Sequence, residues 1–172
     1  MTDFEDILNN FVLNWEGRTY TDDQNDPGKG TMWGISQAGF DGYCQKKGLT
    51  THDVKDLTQE EIISVYFDIW TSAKCDQMPK PINQVHFDCS VNTGITEASE
   101  ILQRVLNVNV DGIIGEITLN AINNFNTAVL CDRLIMGRES FYTELATQKP
   151  NLKDYLQGWL DRCEALKKFI GG

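Results

Sequence analysis

Apolar residues recur at helical spacing through most of this chain, and β-prone signal is confined to one place, residues 18–34. Phe4, Ile7, Leu8, Phe11, Val12 and Trp15 fall on one face of a 3.6-residue repeat. Thr2-x-x-Glu5 before them reads as a capping box. Glu16 follows the stripe directly, and Gly17 can end the helix. Between 18 and 34 the sequence holds three glycines, one proline and short β-prone pieces, so a small hairpin flap is expected there. Helical spacing then returns. Helices are predicted over about 36–47, stopped by Gly48, and from the capping box Thr58-x-x-Glu61 onward. Further helices are expected over about 82–91 (buried), from a Thr96 cap through Leu106, over 116–123, about 127–147 and about 152–170. The expected class is mainly α, with a small β-hairpin flap after the first helix.

Composition narrows the functions open to such a chain. A chain of 172 residues can bury one sizeable core, and 41% hydrophobic residues suit a globular protein. No stretch reaches the roughly 18 consecutive apolar residues that a membrane span needs. The polar, acidic start Met1–Asp6 lacks the pattern of a secretory signal. Fifteen basic residues against twenty-five acidic ones leave a net charge of −10, which argues against a nucleic-acid partner. The five cysteines, Cys44, Cys75, Cys89, Cys131 and Cys163, are odd in number and form no Cys-x-x-Cys pair. They read as buried small hydrophobes rather than a disulfide framework. His86-x-x-Cys89 is a single pair at ligand spacing, too little for a zinc site. No metal and no cofactor are expected.

Glu16 is where the chemistry concentrates. The apolar stripe ending in Trp15 offers a wall, and the helix C-terminus adds a partial negative charge. Both favour the protonated carboxyl, the state in which a general acid must arrive at a glycosidic oxygen. The flap returns further oxygen-bearing residues, Asp22, Asp23, Asp26 and Thr31. Two other readings of the flap fail. Gly28-Lys29-Gly30-Thr31 lacks the order of a phosphate loop. Asp22-x-Gln24-x-Asp26 is followed by Pro27 where a calcium loop needs glycine.

The ordered set Glu16-Gly17, Tyr20, Asp26-Pro27-Gly28, Thr31 and Gly34-Ile35 resembles the signature of glycoside hydrolase family 108, lysozyme-like muramidases of bacteriophages and bacteria. Phe87-Asp88 with Asn92 and Gly94 is similar to that family's Phe-Asp-x-x-x-Asn-x-Gly segment. Leu102-Gln103, the run Val110 to Leu119 and Gly158-Trp159 with Arg162 resemble its C-terminal peptidoglycan-binding part. Arg18 stands where the family has a second glycine, one extra residue precedes Tyr20, and Lys29 replaces another glycine. These departures bear on substrate range and optimum pH.

The resemblance implies a lysozyme-like fold, with residues 1–95 as the catalytic region and 96–172 as a C-terminal helical region packed with it into one compact unit. It implies cleavage of the β-1,4 bond between N-acetylmuramic acid and N-acetylglucosamine in peptidoglycan glycan strands. Glu16 would be the acid. Asp26 and Thr31 would oppose the oxocarbenium ion or orient water, and a Glu16–Asp26 carboxyl gap of about 6.5–9.5 Å would mean inversion, about 5–5.5 Å retention. Tyr20, Asn92 and Asp23 are the expected substrate-binding residues. Tyr20 can equally pin the flap, and Asn92 with Gly94 can equally stop a helix. A non-catalytic wall-binding module and a chitin-type glycosidase remain alternatives. The expected setting is a monomer made in a host cytoplasm and released to the wall through a separate pore, or exported without a visible signal.

Overall fold

The computed structural model describes residues 1–17, 20 and 30–171. The expected flap positions Asp22, Asp23 and Asp26, and the departures Arg18 and Lys29, lie outside the described residues. The elements run α1 (Asp3–Ile7), a π-helical turn (Leu8–Val12), α2 (Leu13–Glu16), β1 (Thr31–Met32), β2 (Ile35–Ser36), α3 (Gln37–Lys47), α4 (Gln59–Ser72), α5 (Ile82–Thr93), α6 (Ile95–Leu106), α7 (Glu116–Asn123), α8 (Thr127–Gln148) and α9 (Leu156–Ile170). Short 3-10 turns lie at Val54–Asp56, Cys75–Gln77 and Pro150–Tyr155. The class is the expected one, mainly α with a single antiparallel hairpin.

Local chemistry explains most boundaries. Ser36 caps α3 by accepting from the Gly39 N–H at 3.2 Å. The second capping box forms in both directions: Thr58 Oγ1 accepts from the Glu61 N–H, and Glu61 Oε2 accepts from the Thr58 N–H. Two expectations need correction. The first helix contains a π-helical turn over Leu8–Val12, an inserted wide turn; the apolar stripe is buried through Val12, and Trp15 beyond it is exposed. Thr96 lies inside α6, which starts at Ile95 from Gly94, so it is not the cap.

Two compact units make up the chain: a hairpin unit, Glu5–Asp68, and a helical unit, Met1–Phe4 with Ile69–Gly172. In the hairpin unit, Ile35, Phe40, Cys44, Val54, Ile62, Val65 and Tyr66 are buried. In the helical unit α5 is buried along Ile82–Ser90 and packs on α6 and α8, while α9 packs on α8. Trp70 is core, edge-on to Phe4 at 5.7 Å and to Phe87 at 5.3 Å. All five cysteines are buried and free.

Burial in α5 extends to polar side chains. Asp88 is wholly buried, and receives Arg138 Nη1 from α8 at 2.6 Å and Arg162 Nη2 from α9 at 2.7 Å. Burial alone would raise the Asp88 carboxyl, but the two guanidiniums outweigh it and hold the group below the usual carboxylate range. His86, expected to be a satisfied core histidine, is satisfied on one side only. A ring nitrogen bonds the Ala73 backbone, Nε2 has no partner among the described residues, and burial lowers the imidazole to about 4.

Candidate active site

Glu16 is the last residue of α2, half-buried, and the chain turns away from it at Gly17 with φ 75°. Trp15 does not form the expected closed wall. It is 40% exposed and leans on Phe11 with ring centroids 6.1 Å apart. What covers the carboxyl instead is the hairpin turn. A Cβ built on Gly34 would lie 2.7 Å from Glu16 Cγ and 2.8 Å from its Cβ, so only a residue without a side chain fits against the acid.

The turn itself is under constraint. Trp33 (φ 54°) and Gly34 (φ 73°) are both left-handed, the requirement of a two-residue type I′ turn between strands paired Thr31 with Ser36 and Met32 with Ile35. A tryptophan in that region costs of order 1 kcal/mol. The buried Tyr66 of α4 holds it there: its hydroxyl donates to the Trp33 carbonyl at 2.8 Å. The base of the hairpin is also tied down. Gln37 N–H donates to the Gly30 carbonyl, while the Gln37 side chain accepts from Val54 N–H and donates to the His52 carbonyl, each at 2.9 Å. His52 Nε2 meets Glu61 Oε1 at 2.8 Å, and this hydrogen bond, followed by that to the Asp53 carbonyl, raises the imidazole above its ordinary value.

Of the residues singled out in the sequence, the hairpin unit therefore brings the turn carrying Gly34 onto Glu16. Thr31 begins β1 of the same hairpin, half-buried. Tyr20 lies against Gly30: a Cβ on that glycine would meet the phenol ring at 2.6 Å, and Lys55 Nζ sits 4.3 Å over the ring. Gly30, Lys55 and Tyr66 are contributors that pattern reading passed over. Asn92 ends α5 in the helical unit, and its carboxamide oxygen accepts from the Tyr142 hydroxyl. Asp88 of the same motif is not a surface group but the buried partner of two arginines. The Asp111–Gly115 stretch is a built turn. Buried Gln103 accepts from the Asp111 and Gly112 N–H groups and donates to Asp111 Oδ1 and the Ile113 carbonyl. Among the described residues no group of three His, Cys, Asp or Glu side chains is placed to hold a metal, and no helix is long and apolar enough to cross a membrane.

A half-buried carboxyl at a helix end, under a strained hairpin turn, can deliver a proton to a bond laid along the turn. The comparisons assign the chain to a class. Residues 9–94 match glycosyl hydrolase 108 and residues 97–164 match a predicted peptidoglycan domain. The chain belongs to glycosyl hydrolase family 108, and the two segments together make it a peptidoglycan hydrolase. A structure of Brucella abortus SagA is similar to it, with 26% sequence identity, a TM-score of 0.80, and coverage of 96% of this chain and 91% of that one. The fold is accordingly the lysozyme-like one expected. No curated protein matches the chain.

Proposed function

We propose that this protein is a muramidase, cutting the β-1,4 bond between N-acetylmuramic acid and N-acetylglucosamine, with Glu16 as general acid. The observation that carries the reading is the close fit of Gly34 over the Glu16 side chain, inside the segment matched to the hydrolase family. In the reaction Glu16 gives its proton to the glycosidic oxygen as the bond to the anomeric carbon breaks. The resulting oxocarbenium ion is captured by the oxygen of a water on one route, or first by a carboxylate on the other. Thr31 orients that water, and Asp26 supplies the opposing carboxylate. Asp23 and Tyr20 contact the sugars beside the bond. Catalysis is assigned to residues 1–95 and wall attachment to 96–172, in a monomer that needs no cofactor. We assign its site of action to the cell wall, reached through a separate pore after synthesis in the cytoplasm.

The test is reducing-end release from purified peptidoglycan by wild type and Glu16→Gln. A loss of about a hundredfold or more in the variant is expected for a general acid. Borohydride reduction of the products before mass analysis identifies the new end, and N-acetylmuraminitol is the expected species. Equal activity in the two proteins would remove Glu16 from the mechanism, and N-acetylglucosaminitol ends would move the cut to the other glycosidic bond.

A further inference from the structure

Helices α6 and α8 of the helical unit enclose a hollow of about 480 Å³, a volume typical of small-ligand sites. Every residue lining it falls between Glu97 and Gln148, inside the segment matched to the peptidoglycan domain. Ile101, Val105, Phe141 and Leu145 supply an apolar floor. At Gly137 the two helices close up. A Cβ there would lie 3.1 Å from Val105 Cγ2 and 3.4 Å from Ile101 Cγ2, so a larger residue would crowd that floor. Phe141 is the one aromatic ring among the described lining residues, and it packs on Cys89, Ala98 and Ile101.

The rim is charged unevenly. On α6, Arg104 Nη1 reaches Glu97 at 3.1 Å and Nη2 reaches Glu100, so two carboxylates already share this cation. On α8, Ser140, Glu144 and Gln148 line the hollow at intervals of four, one helical turn apart. Glu144 is exposed and makes no ion pair or hydrogen bond among the described residues. A second hollow, of about 380 Å³, shares Ser140 and Glu144 and brings in Glu139 without adding a basic residue. The α8 rim therefore calls for a cation, and the floor calls for small apolar groups.

Peptidoglycan offers two kinds of chain. Its glycan is N-acetylated and has no free amine, and the flat C–H face of a sugar suits an open aromatic ring, which this floor does not provide. Its stem peptide carries alanine methyls, amide groups and, until it is cross-linked, the free ammonium of a diamino acid. The hollow complements the peptide in both respects. We propose that the hollow between α6 and α8 binds the peptidoglycan stem peptide, with methyls on Ile101, Val105 and Leu145 and the free ammonium on Glu144. The helical unit then favours wall that is not yet cross-linked. The proposal rests on the assignment of wall attachment to residues 96–172.

The test is calorimetric titration of the full-length wild type with the tetrapeptide L-Ala-γ-D-Glu-L-Lys-D-Ala, and with the same peptide acetylated on the lysine amine. Acetylation should weaken binding several-fold, the order of one exposed ion pair. Glu144→Gln should weaken binding of the free-amine peptide by the same factor, and the acetylated peptide should not distinguish this variant from wild type. Ser140→Trp should fill the hollow and abolish binding of both peptides. Both substitutions fall at exposed positions, and an unchanged unfolding midpoint shows that the fold is kept. Equal affinity of Ser140→Trp and wild type overturns the proposal. So does peptide-free glycan that displaces the tetrapeptide, or a wild-type dimer that Ser140→Trp dissociates, since either gives the hollow to another occupant. A wild type that binds no tetrapeptide, yet sediments with whole peptidoglycan and cuts peptide-free glycan, overturns the hollow alone. One that fails in all three overturns wall attachment and the muramidase reading as well.

Discussion

The two units treat charge differently, and their left-handed residues have different neighbours. In the helical unit, charge is taken inside: Asp88, Arg138 and Arg162 meet at the centre of α5, α8 and α9, with partners at 2.6–2.7 Å. In the hairpin unit, ion pairs stay near water. Lys46 and Lys47 both reach Asp68, at 2.7 and 2.8 Å, with lysines about half exposed. Left-handed residues occur in both units, Lys74 and Asn107 in the helical one and Trp33 in the hairpin one. The hairpin unit holds a left-handed tryptophan and a glycine that no other residue can replace without touching the acid. One unit closes its buried charges on one another, and the other sets its left-handed turn against the Glu16 side chain.

The sharpest test of this contrast is a matched pair of substitutions. Asp88→Asn removes the carboxylate that two buried guanidiniums share and should cost about 3–5 kcal/mol in urea unfolding. Asp68→Asn removes two equally short pairs whose lysines are about half exposed and should cost less than about 1 kcal/mol. Similar losses from both would erase the distinction between the units.

Acid should next separate their histidines. His86 is neutral when folded because burial lowers it to about 4, so the unfolded chain takes up its proton first, near its ordinary 6.5. Its contribution is present above about pH 6.5 and is lost as pH falls toward about 4, by about 3 kcal/mol across that window. His52 behaves in reverse. Glu61 raises it, so its contribution is complete below its unfolded value and fades as pH rises through the folded one. Melting temperatures across pH 4–8 for His86→Phe and His52→Ala should therefore lose opposite slopes. The same sign for both would contradict the assignment.

Within the hairpin unit, Gly34→Ala should lower kcat by about a hundredfold through displacement of Glu16, with a stability cost of more than about 1 kcal/mol. Near wild-type turnover would show that the acid tolerates movement. The smallest effect is expected from Tyr66→Phe, which frees the Trp33 carbonyl and should cost about 1 kcal/mol with a modest fall in activity. An unchanged unfolding midpoint would show that the turn holds itself.

Helices and caps were legible because their determinants are local. Thr58-x-x-Glu61 and Ser36 act within one turn, and the apolar stripes set which face is buried. The hairpin was legible from its glycines, and its closeness to Glu16 from chain order. The cover on the acid was not. Gly34 reads as an ordinary turn glycine, and only the folded backbone shows what its missing side chain makes room for. The roles of Asp88 and Asn92 were also hidden, since their partners lie 50 to 74 positions away. One signal was present. Leu130, Leu134, Arg138, Tyr142 and Ala146 follow one another at intervals of four, all buried, so an arginine stood in a core register. A charge there requires a buried counter-ion, and Asp88 sits in the helix read as wholly buried.

That arginine-rich centre has a consequence for how the protein meets its surroundings. Two guanidiniums and one carboxylate make the interior of the helical unit cationic, whereas the whole chain carries −10. The sign of charge reverses between inside and outside. Dissolved salt screens only the outer layer, over about 8 Å at physiological ionic strength. Ions can therefore ease the approach of this acidic chain to any anionic surface and leave the inner clamp untouched. Encounter becomes adjustable by the medium, and the scaffold does not.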